Sequence, residues 1–164
     1  MHMNNLMRDK SLLEREQEID DFDMSFVFEK IQNDNILSKS DFPKVQSEFK
    51  KFMKLILREN GPFAVVDKRI DEFWHSFILF TPQYIKFCEE TMGFFVHHQP
   101  RTSFTPIPII AIQNFVDAYI GRFNILDPFW LENLPVELIS GIENECIPDI
   151  VDFKWSGWIG RKGV

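Results

Sequence analysis

The sequence predicts an all-α fold: an irregular bundle of about five or six helices in which a proline-rich loop crosses a helix hairpin. Three observations predict it. Apolar residues recur at three- and four-residue steps over several stretches of helical length. The stretches are bounded by Ser, Asp, Pro and Gly placed as helix termini place them. No series of β-branched strands alternates with them, which disfavours a doubly wound α/β sheet.

Residues 1–20 are polar and charged with scattered Leu, and are read as a flexible N-terminal segment, either a frayed tail or a short exposed helix; residues 21–164 are read as one helical domain. Met1-His2-Met3 looks like a cloning remnant before a native start at Met3, so His2 enters no argument about sites. Phe22, Phe26 and Ile31 suggest a short helix over 21–31, with 33–40 as its exit. Ser40 and Asp41 offer capping oxygens and Pro43 suits a first turn. Val45, Phe49, Phe52, Met53 and Ile56 then keep helical spacing until Asn60-Gly61. Residues 62–66 are an apolar link that could be extended. A helix over 67–80 follows, and Thr81-Pro82 opens another that Gly93 stops; so short a connection makes the two neighbours. Residues 94–108 carry three prolines and no steady period, hence a loop. Ile109, Ile112, Phe115, Val116 and Tyr119 form the apolar face of a helix over 108–123. The remainder, with Pro128, Pro135, Pro148, Phe129, Trp130, Trp155 and Trp158, should be short helices and turns over the bundle.

Composition narrows function. With 18 Phe against 2 Tyr, most rings should be buried, and any left outside would attract a partner. A net charge of −7 argues against broad capture of nucleic acid; Lys50, Lys51 and Lys54 read as a solvated helix face. No apolar run reaches the length of a membrane span and the N-terminus lacks a secretory core, so a cytoplasmic location is expected. Cys88 and Cys146 are expected to be thiols, Cys146 without a role in a site. Gly141, Gly157, Gly160 and Gly163 do not form a phosphate-cradling loop.

Chemistry concentrates in residues 71–100. Positions 67, 71, 75 and 79 fall on one helical stripe, so Asp71 lies one turn before His75 and can share a cation with it, orient its ring or pair with it. Trp74 and Phe77 should bury and set the helix rotation. Tyr84, Cys88 and Met92 form a stripe on the next helix, which could turn Cys88 toward the same cleft, and the loop delivers His97 and His98. Imidazole and thiolate are donors that zinc prefers. The expected site is therefore a divalent metal, zinc by preference with iron or copper as alternatives, held by His75, His97 or His98, and Cys88, with Asp71 as ligand or behind the ligands. Asp71, a histidine and Cys88 also have the residue types of a thiol nucleophile, although a mid-helix cysteine lacks the helix N-terminus that acidifies such thiols.

The pattern Asp71-x-x-Trp74-His75-x-x-Ile78-Leu79, Tyr84-x-x-Phe87-Cys88, Gly93-x-Phe95-x-His97-His98-x-Pro100 resembles a motif block of poorly characterised bacterial proteins related to plant glycine-rich-domain proteins. The resemblance implies a shared site with no named reaction. Members of that group often carry a second His two positions after the Trp-His, where this chain has Phe77. The competing expectation is a metal-free module that docks on a larger protein as regulator, maturation partner or inhibitor. Its histidines would brace the fold, and its Phe surplus and the Trp155-Ser-Gly-Trp158 tail would supply contact surface or cap the bundle.

Overall fold

The computed structural model describes residues 9–100, 108–132 and 134, and the backbone alone at Pro100 and at residues 157–159. Among them the fold is all-α, an irregular bundle with one small sheet.

Helix α1 (Leu12–Asp21) occupies the second half of the segment that the sequence leaves flexible. Ser11 and Glu14 cap it reciprocally, side chain to backbone at 3.2 and 2.8 Å, and Ile19 is fully buried. Of the two alternatives for this segment the structure takes the short helix, held by its cap, by Ile19 in the core and by the buried Glu16. Helix α2 (Ser25–Asn33) begins later than the apolar pattern suggests, because the Asp23 carboxylate takes the Ser25 N–H at 2.9 Å. Helix α3 (Phe42–Arg58) is the axis of the bundle: Val45, Phe49, Phe52, Met53 and Ile56 are buried, and α1, α4 and α6 pack on it.

After strand β1 (Phe63–Ala64) comes α4 (Lys68–Ile78), capped by the buried Asp67, whose carboxylate accepts from the Arg69 N–H at 2.7 Å and pairs with the Arg69 guanidinium. Helix α5 (Thr81–Lys86) continues into a π-helical turn (Phe87–Met92). Tyr84 and Phe87 stand 5.1 and 5.4 Å from Phe77, so α5 folds back on α4 as the short connection implies. Strand β2 (Gln99–Pro100), α6 (Ile109–Phe123), α7 (Pro128–Leu131) and β3 (Gly157–Ile159) complete the described chain. Strand β3 lies between β1 and β2 and pairs antiparallel with both, Phe63 opposite Ile159 and Gln99 opposite Trp158. The segment that follows His98 is thereby joined to the segment that precedes α4.

Two buried carboxylates clamp the bundle. Glu16 of α1 receives the Arg58 guanidinium at 2.6 and 2.8 Å and Arg122 at 3.2 Å, joining α1, α3 and α6. Glu48 of α3 receives Lys44, Lys51, Tyr119 and Trp130. The Arg58 hydrogen bond holds the Glu16 carboxyl below its ordinary range. Burial pushes that of Glu48 up, but its donors outweigh this and lower it. Both groups bind protons more weakly folded than unfolded. Their stabilisation is therefore complete above their ordinary value of 4.5 and drains away as pH falls through the lowered folded values. Urea midpoints should accordingly stay level with respect to these groups from pH 7 to about 5 and drop on further acidification; a midpoint unchanged down to pH 3 would contradict the assignment.

Gly93 closes the π-helical turn at φ 81°, and a Cβ there would lie 2.6 Å from the Arg15 guanidinium, which donates to the Thr91 carbonyl at 3.0 Å. Gly93→Ala should lower unfolding free energy by about 1–2 kcal/mol in urea titration, since L-residues resist the left-handed region. A neutral result would mean that the backbone relaxes there without strain.

The described phenylalanines are mostly inside, with Phe95 the exposed exception at 46%. Lys50 donates to the Asp20 and Phe22 carbonyls, Lys51 to Glu48 and Lys54 to Asp20, so this cationic face is engaged within the fold. No helix among the described residues is long and apolar enough to cross a membrane. Pro135, Gly141, Cys146, Pro148, Trp155, Gly160 and Gly163 lie outside the described residues, as do positions 101–107 of the segment expected to be a loop.

Candidate functional site

The four-residue step from Asp71 to His75 puts both side chains on one edge of α4, and the neighbours decide how deep that edge lies. Trp74 and Phe77 are fully buried against Phe49, which rotates Asp71 to 2% exposure and leaves the His75 side chain 42% exposed. Gly93 reverses the chain after the π-helical turn, and the extended stretch that follows returns across α4 and α5. Its Val96 carbonyl accepts the Tyr84 hydroxyl at 2.6 Å, and Phe95 meets the Tyr84 ring edge-on at 5.6 Å.

This crossing delivers His98. Its ring lies flat on the Trp74 indole, centroids 4.6 Å apart and planes 10° from parallel, with 1% of the side chain exposed. Its Nε2 sits 2.9 Å from Asp71 Oδ1 and 3.0 Å from His75 Nε2, while His75 Nδ1 is 3.5 Å from Asp71 Oδ2. The Asp71, His75 and His98 donor atoms all lie within 4.8 Å of one another. Zinc–nitrogen and zinc–oxygen bonds of ~2.1 Å place tetrahedral neighbours roughly 3.4 Å apart, so the set is close to ligand spacing. The half-exposed His75 ring has freedom to make the remaining adjustment. His98 Nδ1 is buried with no hydrogen-bond partner among the described residues. The ring is therefore positioned by its stack and by Asp71.

The structure thus brings together Asp71, His75 and His98 of the five expected ligands, and not Cys88 or His97. Cys88 does lie on the Tyr84 stripe, but that stripe faces inward: its thiol is fully buried against the Tyr84 hydroxyl and the Val96 backbone. Burial pushes the thiol's pKa up, which opposes both thiolate ligation and nucleophilic attack. His97 points away, as neighbours in an extended stretch do, and its exposed ring rests on Phe95 with centroids 4.8 Å apart. Asp71, expected either as ligand or behind the ligands, presents its oxygen directly to the cluster. Phe77 is core, packed on Phe22, Phe26, Phe49 and Tyr84, so its presence instead of a histidine takes nothing from the cluster.

Trp74 and Tyr84 do more than the core and stripe positions that their spacing implies. The Trp74 indole N–H donates to the Tyr84 hydroxyl at 3.1 Å, making one connected support behind His98. A Trp directly beside a His, with a Tyr ten residues on in an otherwise Tyr-poor chain, was the available signal.

A model of the UCP032817-like family matches residues 14–107, more than half of the chain. The chain belongs to the UCP032817-like family. The match takes in every residue of the cluster and its support, and leaves α6 and α7 outside. No curated protein and no solved structure matches this chain.

Proposed function

We propose that this UCP032817-like protein binds a divalent transition metal through Asp71, His75 and His98. The observation that carries this reading is the convergence of two imidazole nitrogens and a carboxylate oxygen within 4.8 Å, on a buried aspartate and a histidine whose stacked side chain is buried. Two histidines and one carboxylate form a donor set for zinc or ferrous iron, and without a thiolate the softer preference for copper(I) weakens. Three protein ligands would leave a metal room for a further ligand. The chemistry it would supply is Lewis acidity toward a water or substrate atom. Of the block that resembles relatives of plant glycine-rich-domain proteins, this reading uses Asp71, Trp74, His75, Tyr84 and His98.

A second reading has its own observation. Asp71 and the Trp74 stack already satisfy much of His98, so the cluster also serves as a metal-free brace, as an interaction module would need. Elemental analysis of untagged full-length protein separates the two. Near-stoichiometric zinc or iron, lost in a His75→Ala, His98→Ala double variant and kept in His97→Ala, supports the metal centre. Absence of metal from every preparation, and from protein dialysed against zinc or ferrous salt, rejects it.

A further inference from the structure

We propose that Tyr84 is a positioning residue for His98, its single hydroxyl setting both the surface on which the imidazole lies and the backbone that carries it; this rests on the metal-site reading above.

A ligating imidazole is ordinarily oriented by a hydrogen bond from its second nitrogen to an acceptor. His98 Nδ1 has no such partner among the described residues, so the ring's orientation must come from elsewhere. Asp71 meets Nε2 and the 4.6 Å stack on Trp74 holds the ring plane, but an indole can slide or tilt unless its own plane is held. Trp74 is held by its N–H, 3.1 Å from the Tyr84 oxygen. That hydroxyl has one proton, and it is directed at the Val96 carbonyl 2.6 Å away. Val96 is two residues before His98, so in extended backbone the two side chains leave the chain on the same side, and both are buried here. Removing the oxygen frees the indole and the strand together. The hydroxyl meets Trp74, Val96 and the Cys88 thiol, none of which is a ligand, so Tyr84 reaches the cluster through Trp74 and Val96 and not by direct contact.

Three variants of the full chain test this: Tyr84→Phe, Trp74→Phe and, as a control on the same loop, His97→Ala. Each is titrated with cobalt(II), followed by its visible absorption, and with zinc in competition; near-UV circular dichroism of the metal-free protein records the fold. Tyr84→Phe should bind about 10- to 100-fold more weakly, the range for loss of a group that orients a ligand, with an altered cobalt band. Trp74→Phe keeps an aromatic face but loses the donor, and should weaken binding in the same direction. His97→Ala should match the wild type. Should Tyr84→Phe fail to fold, Trp74→Phe decides. Wild-type affinity and band shape in the folded aromatic variants overturn the role of Tyr84 and leave the metal site standing. A wild-type protein that takes up neither cobalt nor zinc overturns the metal site and this role with it.

Discussion

Glu48→Ala is expected to remove about 3–5 kcal/mol of unfolding free energy, a large share of the roughly 5–15 kcal/mol that a domain possesses. Glu48 is fully buried, and its oxygens receive Lys44 at 3.1 Å, Lys51 at 2.9 Å, Tyr119 at 2.7 Å and Trp130 at 2.8 Å. After truncation the two lysines regain water, being partly exposed. The Tyr119 hydroxyl and Trp130 indole cannot, since these residues are 1% and 0% exposed, and each orphaned donor costs about 1–3 kcal/mol. The damage should fall on the packing of α6 and α7 against α3. Urea unfolding followed by tryptophan fluorescence measures it; a loss below about 1 kcal/mol would show that the four donors find other acceptors. Glu48→Gln preserves volume and one acceptor and should fall between Ala and the wild type.

Zinc at about 1,000 times its dissociation constant should stabilise the wild-type chain by about 4 kcal/mol, as a ligand bound only to the folded state does. EDTA should reverse the gain. His98→Ala should abolish it, weakening binding beyond the roughly 100-fold that removing an outer support produces, because one of three donors is gone from the buried side of the cluster. His97→Ala and Cys88→Ser should retain most of the gain: His97 is exposed on Phe95, and the Cys88 thiol is directed into the core. Thermal unfolding with and without zinc reads this directly. Equal stabilisation of the wild type and His98→Ala would place the ion elsewhere on the protein.

The candidate site was partly legible in the chain. Asp71 and His75 were visible as a pair because helical periodicity converts a spacing of four into adjacency, with no distant part of the chain involved. The stripe of Tyr84, Cys88 and Met92 was equally visible, but periodicity says which residues share a face and not where the face points. Phe77 and Phe87 settle that, at 5.4 Å, by turning the stripe inward. The π-helical turn over Phe87–Met92 left no signal of its own; the Gly93 and Phe94 N–H groups both reach back to the Cys88 carbonyl at 2.8 and 3.1 Å, a closure that depends on the chain reversing at Gly93. Helix α1 stood only as one of two alternatives for its segment, because one buried isoleucine and a capping box give periodicity little to register.

Local order thus carried the all-α class, the α4–α5 neighbourhood, the stop at Gly93 and the pairing of Asp71 with His75, all consequences of short-range sterics, capping and a fixed helical repeat. Tertiary structure alone decided that His98 and not His97 turns inward and that Cys88 is core. It also decided that β3 joins the two ends of the site region. An extended segment alternates its side chains but has no phase of its own; here the phase is set by contacts with Trp74 and Tyr84 on other elements.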